Sequence, residues 1–318
     1  MPNIAPPSRR KPEPRTMSSS RDPSLTSGIL SFRGAKRRGI RRPHEHRFAQ
    51  DDRDAVKSLV ALGMTMERSL EMTRSLVKLN FYGTKGYVEE SSPEHSGHSA
   101  FTIEAEGFRL LCDFGENRKG LLGKIRPDAI FVSHAHPDHA WGLEEGTAAA
   151  VYASEITHSL TGKFGIAKRV VLEPERTVSV GPWRVTAFPV VHSVRCPGIA
   201  ARLEVAGRVL VYSGDIVSFE NPDGALAGAD VYVGDGSTLR GTLVRRHPSG
   251  TLLGHTTVRA QLGWLAKHGI RRAVFSHFGK EAIEMGEKAL REALEKLASE
   301  RLPGADVSVA GDGATIEV

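Results

Sequence analysis

Residues 131–142 read FVSHAHPDHAWG and place three histidines and an aspartate within six positions. The preceding run, DAIFV, has the short apolar pattern of a buried strand. His134 and His136 stand two residues apart, so on an extended segment their side chains project to the same side. The chain then turns, which lets Asp138 and His139 face a neighbouring position. Imidazole nitrogens and a carboxylate oxygen suit Zn²⁺, Mn²⁺ or Fe, so this stretch predicts metal binding at a strand end.

Three more candidate ligands lie downstream, each at the end of a predicted strand. His192 ends WRVTAFPVVH, Asp215 ends RVLVYSGD and His277 ends RAVFSH. Strand ends at one edge of a sandwich converge in space even when they are far apart in sequence. A lone histidine or aspartate in such a place is often a turn residue, but the set together predicts a shared metal site.

The chain from residue 77 onward predicts one α/β domain. Short runs rich in β-branched and aromatic residues, such as VKLNFYG, SAFTIEA and FRLLCDFG, are separated by Gly, Pro and charged turns. Later strands alternate with segments of helical periodicity, TTVRAQLGWLAKHG and residues 280–300 among them. Two strand-rich halves with interspersed helices indicate sheets inside and helices outside, so we predict a sandwich over residues 77–318.

The first 76 residues differ from this domain in composition. Residues 1–50 are rich in Pro, Ser and Arg, so we expect a disordered basic segment, either a functional arm or an over-extended start. Residues 51–76 have apolar residues at roughly helical spacing and predict a helix or linker. Residues 1–76 hold 16 Lys and Arg against 8 Asp and Glu, whereas the remainder holds 27 against 29. The net charge of +6 is therefore no argument for nucleic-acid binding by the domain.

Two features of the bulk sequence bear on where the protein works. No apolar run is long enough to cross a bilayer, and the start lacks the apolar core of a secretory signal, so no membrane partner is expected. The chain has only two cysteines, Cys112 and Cys196, which rules out a disulfide framework. We therefore expect a protein of the reducing cytoplasm.

The segment HAHPDH has the form HxHxDH and resembles the signature of the metallo-β-lactamase-fold superfamily. The resemblance covers roughly residues 77–318 and implies a four-layer αββα hydrolase with two divalent metal ions. Zn²⁺ is the default metal for histidine-rich ligation, with Mn²⁺ or Fe also open. The implied nucleophile is a hydroxide between the two ions. Many relatives form dimers, which makes a homodimer one option.

The same resemblance implies a role for each ligand. One ion would be held by His134, His136 and His192. The other would be held by Asp138, His139 and His277, and Asp215 would bridge the two. Asp113, in LLCDFG, resembles the aspartate that supports the metal loop.

Segments near the last ligands are similar to the ribonuclease Z-like phosphodiesterase branch. GHTTVRAQLGWLAKHGIRRAVFSH resembles the part in which a histidine precedes a helix, which implies that His255 gives a proton to the leaving oxygen. Asp235 stands where that branch has an acidic partner for this histidine, usually Glu. Catalytic roles are thus expected for Asp138, His255 and Asp235. Arg245, Arg246 and Thr256 are candidate substrate-binding residues, although His255 or Thr256 could instead cap the helix.

The sequence also departs from ribonuclease Z. Only 23 positions separate His192 from Asp215, which leaves no room for the arm that grasps transfer RNA. The favoured interpretation is therefore a compact phosphodiesterase or small nuclease, whose substrate is a small phosphodiester or a nucleic acid.

Two other functions remain open at this level. The same metals could serve a lactone, thioester or other ester hydrolase, which would have little need for His255. A non-catalytic, metal-stabilised nucleic-acid-binding protein would instead depend on the basic N-terminal segment. Ser133 and Ser193 are interpreted as ordinary loop serines, and His95 and His98 as surface or turn histidines.

Overall fold

The computed structural model describes residues 77–318, so the expectations for residues 1–50 and 51–76 lie outside the described residues. None of the helices in this described part is long and apolar enough to cross a membrane.

Residues 77–318 form β-strands and α-helices, together with two short 3₁₀ turns. The strands are β1 (Lys78–Gly83), β2 (Ala100–Ala105), β3 (Phe108–Cys112), β4 (Ala129–Phe131), β5 (Thr147–Ala153), β6 (Ile166–Val171), β7 (Thr177–Val180), β8 (Trp183–Val191), β9 (Gly198–Val205), β10 (Arg208–Tyr212), β11 (Ser218–Phe219), β12 (Val231–Asp235), β13 (Arg245–Arg246), β14 (Leu252–Leu253), β15 (Arg272–Ser276), β16 (Asp306–Val309) and β17 (Thr315–Glu317). The α-helices are α1 (Leu122–Ile125), α2 (Pro137–Ala140), α3 (Glu155–Leu160), α4 (Pro222–Leu226), α5 (Val258–His268), α6 (Lys280–Met285) and α7 (Glu287–Arg301), with short 3₁₀ turns at Glu116–Arg118 and Trp141–Glu145.

Within residues 77–318 the strands form two large sheets and one small hairpin. The first sheet has the order β17-β1-β2-β3-β4-β5-β6. The second has the order β11-β8-β9-β10-β12-β15-β16, with β7 also paired to β8, and β13 pairs with β14 apart from both. Strands β3 to β6 run parallel, as do β10, β12, β15 and β16. Parallel neighbours end at the same edge of a sheet, so the segments that follow β4, β10, β12 and β15 are brought together.

The main apolar core lies between the two sheets. Leu79 and Phe81 of β1 belong to the same buried cluster as Trp183 of β8, Leu203 of β9 and Val233 of β12. The alternation in KLNFYG explains this placement, because Leu79, Phe81 and Gly83 are buried while the residues between them are half exposed.

Each sheet is covered on its outer face by helices. Apolar residues of α5 and α7, such as Leu262 and Leu294, pack with Phe275 of the second sheet. On the first sheet, Ile125 of α1 packs with Ile130 of β4. The layers therefore run helix, sheet, sheet, helix, and the predicted αββα architecture is confirmed.

Two helix predictions differ from the structure. Residues 280–300 predict one helix, but α6 ends and α7 begins at Gly286, whose φ of 80° and ψ of 154° no helical residue adopts. The alternative that His255 or Thr256 caps the next helix is wrong, because α5 begins at Val258 and its N-cap is Thr257, whose side chain accepts from the Ala260 amide.

Candidate metal centre

Residues 131–142, FVSHAHPDHAWG, follow the first sheet at the end of β4 and continue directly into α2. His134 and His136 lie on the extended part, and His136 is the N-cap of α2, with Pro137 at its first position. Asp138 and His139 follow within the helix, and both are buried. The change from extended chain to helix is what makes the four side chains face two adjacent positions.

The first group of ligand atoms joins this loop to two distant strands. His136 Nδ1 lies 2.9 Å from His134 Nε2 and 3.2 Å from His192 Nε2. Asp215 Oδ2 lies 3.6 Å from His134 Nε2 and 3.4 Å from His192 Nε2. Ligands about 2.0–2.1 Å from a tetrahedral zinc ion lie about 3.3–3.4 Å from one another. The four atoms therefore have the spacing of a metal-binding set.

The second group shares Asp215 with the first. Asp215 Oδ1 lies 3.0 Å from His139 Nε2 and 3.3 Å from His277 Nε2. Asp138 Oδ2 completes the group, 3.1 Å from His277 Nε2 and 3.6 Å from His139 Nε2. The two oxygens of Asp215 thus face the two groups separately, which is the arrangement of a bridging carboxylate.

Two buried polar atoms in these groups lack a hydrogen bond. His139 Nε2 and Asp215 Oδ1 are both buried, and neither makes a hydrogen bond. An unpartnered buried polar atom is costly, and it becomes satisfied when it ligates a cation. The nitrogen and carboxylate set therefore fits two divalent metal ions of the zinc type.

Asp113 supports the metal loop from behind, in the place where the resemblance puts such a residue. Its Oδ1 accepts from the Ser133 amide at 2.7 Å, and its Oδ2 accepts from His139 Nδ1 at 2.7 Å. The same Oδ2 accepts from the hydroxyls of Ser133, at 2.7 Å, and Tyr212, at 2.6 Å. The bond to His139 Nδ1 leaves His139 Nε2 as the metal-facing nitrogen.

The sequence does not predict the roles of two of these supporting residues. Ser133 is buried and bonded to Asp113, so its interpretation as an ordinary loop serine is wrong. Tyr212 ends β10 on the facing sheet, and no local pattern marks it. Its apolar position in RVLVY predicts only a core residue.

Asp235, which is buried, and His255, which is half-buried, form a pair beside the second group. Asp235 Oδ2 accepts from His255 Nδ1 at 2.8 Å, although an aspartate is shorter than the glutamate of the family pattern. Ser237 Oγ lies 2.9 Å from His277 Nδ1 and 3.2 Å from His255 Nδ1, so it connects the two rings. Gln261 of α5 donates to the Asp235 carbonyl at 2.7 Å. Neither Ser237 nor Gln261 stands out in the sequence.

His192 is oriented by the chain segment that carries His255. Its Nδ1 donates to the Gly254 carbonyl at 3.0 Å, and the Gly254 amide donates to the His192 carbonyl at 2.9 Å. Gly254 has a φ of +105°, and a Cβ there would lie 2.2 Å from the Leu243 carbonyl oxygen. Only glycine fits, so one residue positions both a ligand and the adjacent His255.

The pKa values of the clustered groups are shifted in different directions. Burial holds the pKa of His134 well below its usual value. Burial also opposes the protonation of His277, but Asp215 and the bonds to Asp138 and Asp235 raise the pKa of His277 to about 10. Burial likewise opposes ionisation of Asp215, yet His139 and His277 hold the pKa of Asp215 well below its usual value. Such buried protons are what bound divalent cations replace.

A cleft of about 1520 Å³ opens over the centre. Its walls include the ligands His136, His192 and His277 together with His255. The hairpin β13–β14 adds Arg245 and Arg246 as exposed side chains. The structure does not bring the third predicted substrate-binding residue to the cleft, because Thr256 is buried outside its walls and its amide donates to the Ile216 carbonyl at 2.7 Å.

His95 and His98 are both buried, so neither is a surface histidine, although His95 does lie in a bend of the chain. His95 Nδ1 lies 2.8 Å from Thr84 Oγ1, and its Nε2 lies 3.1 Å from Glu287 Oε2. These contacts tie the segment after β1 to the start of α7. His95 is therefore a structural residue of the domain.

An αββα sandwich that gathers candidate histidine and aspartate ligands from four segments at one edge defines a class of metal-binding hydrolase folds. The model of the β-lactamase superfamily domain matches residues 113–278, more than half of the chain. The chain belongs to the β-lactamase superfamily.

Comparisons with individual proteins agree with this assignment. Ribonuclease Z of Methanococcus maripaludis is 28% identical over 145 residues, which cover 37% of this chain and 46% of that protein. The chain thus aligns with less than half the length of the curated relatives of this kind. The predicted resemblance to the superfamily, with ribonuclease Z among its relatives, is confirmed.

Solved structures share the fold. The metallo-β-lactamase-fold protein YhfI from Bacillus subtilis superposes with a TM-score of 0.61 at 18% identity, covering 77% of this chain and 100% of that one. A new diphosphatase from the PhnP family superposes with a TM-score of 0.57 at 17% identity, covering 76% of this chain and 97% of that one. At these identities the likeness confirms the predicted fold.

Proposed function

We propose that this protein is a metal-dependent phosphodiesterase or small nuclease, with residues 77–318 as its catalytic domain. The observation that carries the proposal is the Asp235–His255 pair, which places a proton donor in the wall of the cleft beside the ligand groups. When a phosphodiester is hydrolysed, its leaving group departs as an alkoxide. A general acid that protonates this group raises the rate of the reaction by about 10²–10⁴. Relatives named as ribonuclease Z and as a diphosphatase support the same class of substrate.

In this proposal the two ligand groups hold two divalent ions, with Zn²⁺ first in preference and Mn²⁺ or Fe as options. One ion is assigned to His134, His136 and His192, the other to Asp138, His139 and His277, and Asp215 bridges them. When bound, such a pair of ions lowers the pKa of water and neutralises phosphate charge. Asp138 belongs to the second set as a ligand, with its Oδ2 3.1 Å from the Nε2 of His277.

His255 supplies the proton that the leaving oxygen needs. Its Nδ1 is engaged by Asp235, so Nε2 is the atom that gives up a proton as the P–O bond breaks. Burial opposes protonation of His255, but the Asp235 carboxylate outweighs burial and raises the pKa of His255. This shift favours the acid form of the side chain. Arg245 and Arg246, on the hairpin that leads into His255, are proposed to bind the phosphate-bearing substrate.

A cytoplasmic setting is part of this proposal. Cys112 and Cys196 are both free, which suits a reducing cytoplasm.

The test compares ester classes on the metal-loaded protein. The proposal expects hydrolysis of bis(p-nitrophenyl) phosphate and of methyl phenyl phosphate, with little turnover of a γ-lactone or a thioester. His255→Ala should cut the rate with the phenyl ester by at least 100-fold and the rate with the better-leaving nitrophenyl ester by less, because a good leaving group needs less acid help. His268→Ala, a histidine at the end of α5 outside the cleft, is the matched control and should leave both rates unchanged.

Two results would overturn the proposal. Faster cleavage of the lactone or thioester than of either diester would assign the site to carbon-centred ester hydrolysis. Metal-loaded protein that cleaves no ester yet binds nucleic acid with a steep salt dependence would assign it to binding alone.

A further inference from the structure

The cleft over the metal centre has an unusual share of exposed apolar side chains. Eight large hydrophobic residues are exposed in the described part of the chain, and three of them, Tyr87, Val194 and Leu243, line this cleft. Large apolar side chains that stay exposed around a functional cleft mark a binding surface. The ligand therefore has an apolar face in addition to its phosphate.

Tyr87 has the position and the freedom of a stacking platform. Its neighbour Gly86 lies against the ring of His277, where a Cβ would be 3.0 Å from Cε1. The Gly86 amide donates to the Phe278 carbonyl at 2.9 Å, which fixes the backbone beside Tyr87. The tyrosine itself is 65% exposed, and its ring lies against that of His98, with 5.7 Å between the ring centres and 46° between the ring planes. Tyr87 thus presents a flat, exposed ring next to Gly86, which contacts His277. A ring in this place suits a group attached to the reacting phosphate.

The same cleft carries cations with no acidic partner. Arg195, three residues after His192, and Arg245, on the hairpin before His255, line the cleft, are exposed, and make no ion pair within residues 77–318. Lys280 differs, because it pairs with Glu90 and Glu284. Unpaired guanidinium groups on the walls favour an anionic ligand.

We propose that the substrate is a nucleoside phosphodiester whose base stacks on Tyr87. This proposal rests on the proposed phosphodiesterase function. A heteroaromatic base supplies the flat apolar face, and its phosphates supply the negative charge that Arg195 and Arg245 meet. The proposal assigns the base to the half that stays on phosphorus, and the leaving half to the side of His255. A simple alkyl diester has no group that could stack on the Tyr87 ring.

The test uses two diesters with the same leaving group. Thymidine 5′-(p-nitrophenyl phosphate) carries a base and methyl p-nitrophenyl phosphate does not, and both release p-nitrophenolate. The metal-loaded protein should prefer the thymidine ester in kcat/KM by at least 10-fold, as expected for one stacked base. Tyr87→Ala should remove most of this preference through KM, whereas Tyr87→Phe, which keeps the ring, should retain it. Ile156→Ala, an exposed apolar residue outside the cleft, should leave the preference as it is.

The outcomes separate the two proposals. A protein that cleaves both esters without preference, or whose preference survives Tyr87→Ala, contradicts the stacking proposal and leaves phosphodiester hydrolysis intact. A protein that holds its metals and cleaves neither ester overturns the proposed function, and the stacking proposal falls with it.

Discussion

Each metal-facing histidine on the second sheet has its other ring nitrogen engaged by the protein. His192 Nδ1 donates to the Gly254 carbonyl, and His277 Nδ1 lies 2.9 Å from Ser237 Oγ. On the first sheet, His139 Nδ1 donates to Asp113. Such contacts select the tautomer that points Nε2 at the ion, and losing one typically costs 10–100-fold in metal affinity or activity.

Asp235→Asn tests whether a carboxylate is needed to keep His255 protonated. The change removes the charge that raises the pKa of His255 but keeps the size of the side chain. We expect kcat for methyl phenyl phosphate to fall by about 100-fold, with a smaller fall for bis(p-nitrophenyl) phosphate. Steady-state rates with both esters, together with metal content, make the measurement. An equal fall for the two esters accompanied by lost metal would assign Asp235 to metal binding through His277 instead.

Gly254→Ala tests the residue that positions His192 and His255 together. A Cβ at this position meets the Leu243 carbonyl at 2.2 Å, so the backbone has to move and both hydrogen bonds to His192 weaken. We expect at least a 10-fold loss of kcat/KM and weaker metal retention in a chelator competition. Gly250→Ala is the matched control, because its φ is also positive, +91°, with no atom within 4 Å of the added Cβ. Equal losses in both variants would show that backbone strain alone causes the effect.

For helices and strands, sequence periodicity predicts the type of an element better than the residues at which the element begins and ends. The helical pattern of residues 280–300 continues in the apolar residues on both sides of Gly286, so it does not reveal the break. The break depends on a backbone conformation, φ 80° and ψ 154°, that is open to glycine and closed to other residues. The sequence does not predict the hairpin β13–β14 for a related reason, since strands of two residues have no periodicity to detect.

Gly286→Ala should therefore destabilise the domain by about 1–3 kcal/mol, the cost of a residue with a side chain in this region of backbone space. Gly263→Ala, inside α5, is the matched control and should stabilise by about 0.5–1 kcal/mol, since its Cβ would meet no atom within 4 Å. Urea unfolding of the metal-loaded proteins gives both values. A neutral or stabilising Gly286→Ala would mean that α6 and α7 can merge into one helix.

At the scale of the whole molecule, the histidines and aspartates that gather in the cluster could be predicted from the sequence, and Asp113 from the resemblance, whereas the other supporting residues could not. His134 to His139 form a dense local cluster, and His192, Asp215 and His277 each end a recognisable strand. Tyr212 and Ser237 instead act through contacts across the fold, Tyr212 reaching Asp113 from the facing sheet. A tyrosine in an apolar strand and a serine after a glycine have no local pattern that separates this role from an ordinary one.

In the proposed function, two divalent ions, held by ligands from both sheets, are together required for phosphodiester hydrolysis. The measurement that tests it most directly is the rate of bis(p-nitrophenyl) phosphate hydrolysis as Zn²⁺ or Mn²⁺ is added stepwise to metal-free protein. We predict that the rate rises until two equivalents per chain are bound and then stays constant. Full activity at one equivalent, or no hydrolysis with two equivalents bound, would contradict the account.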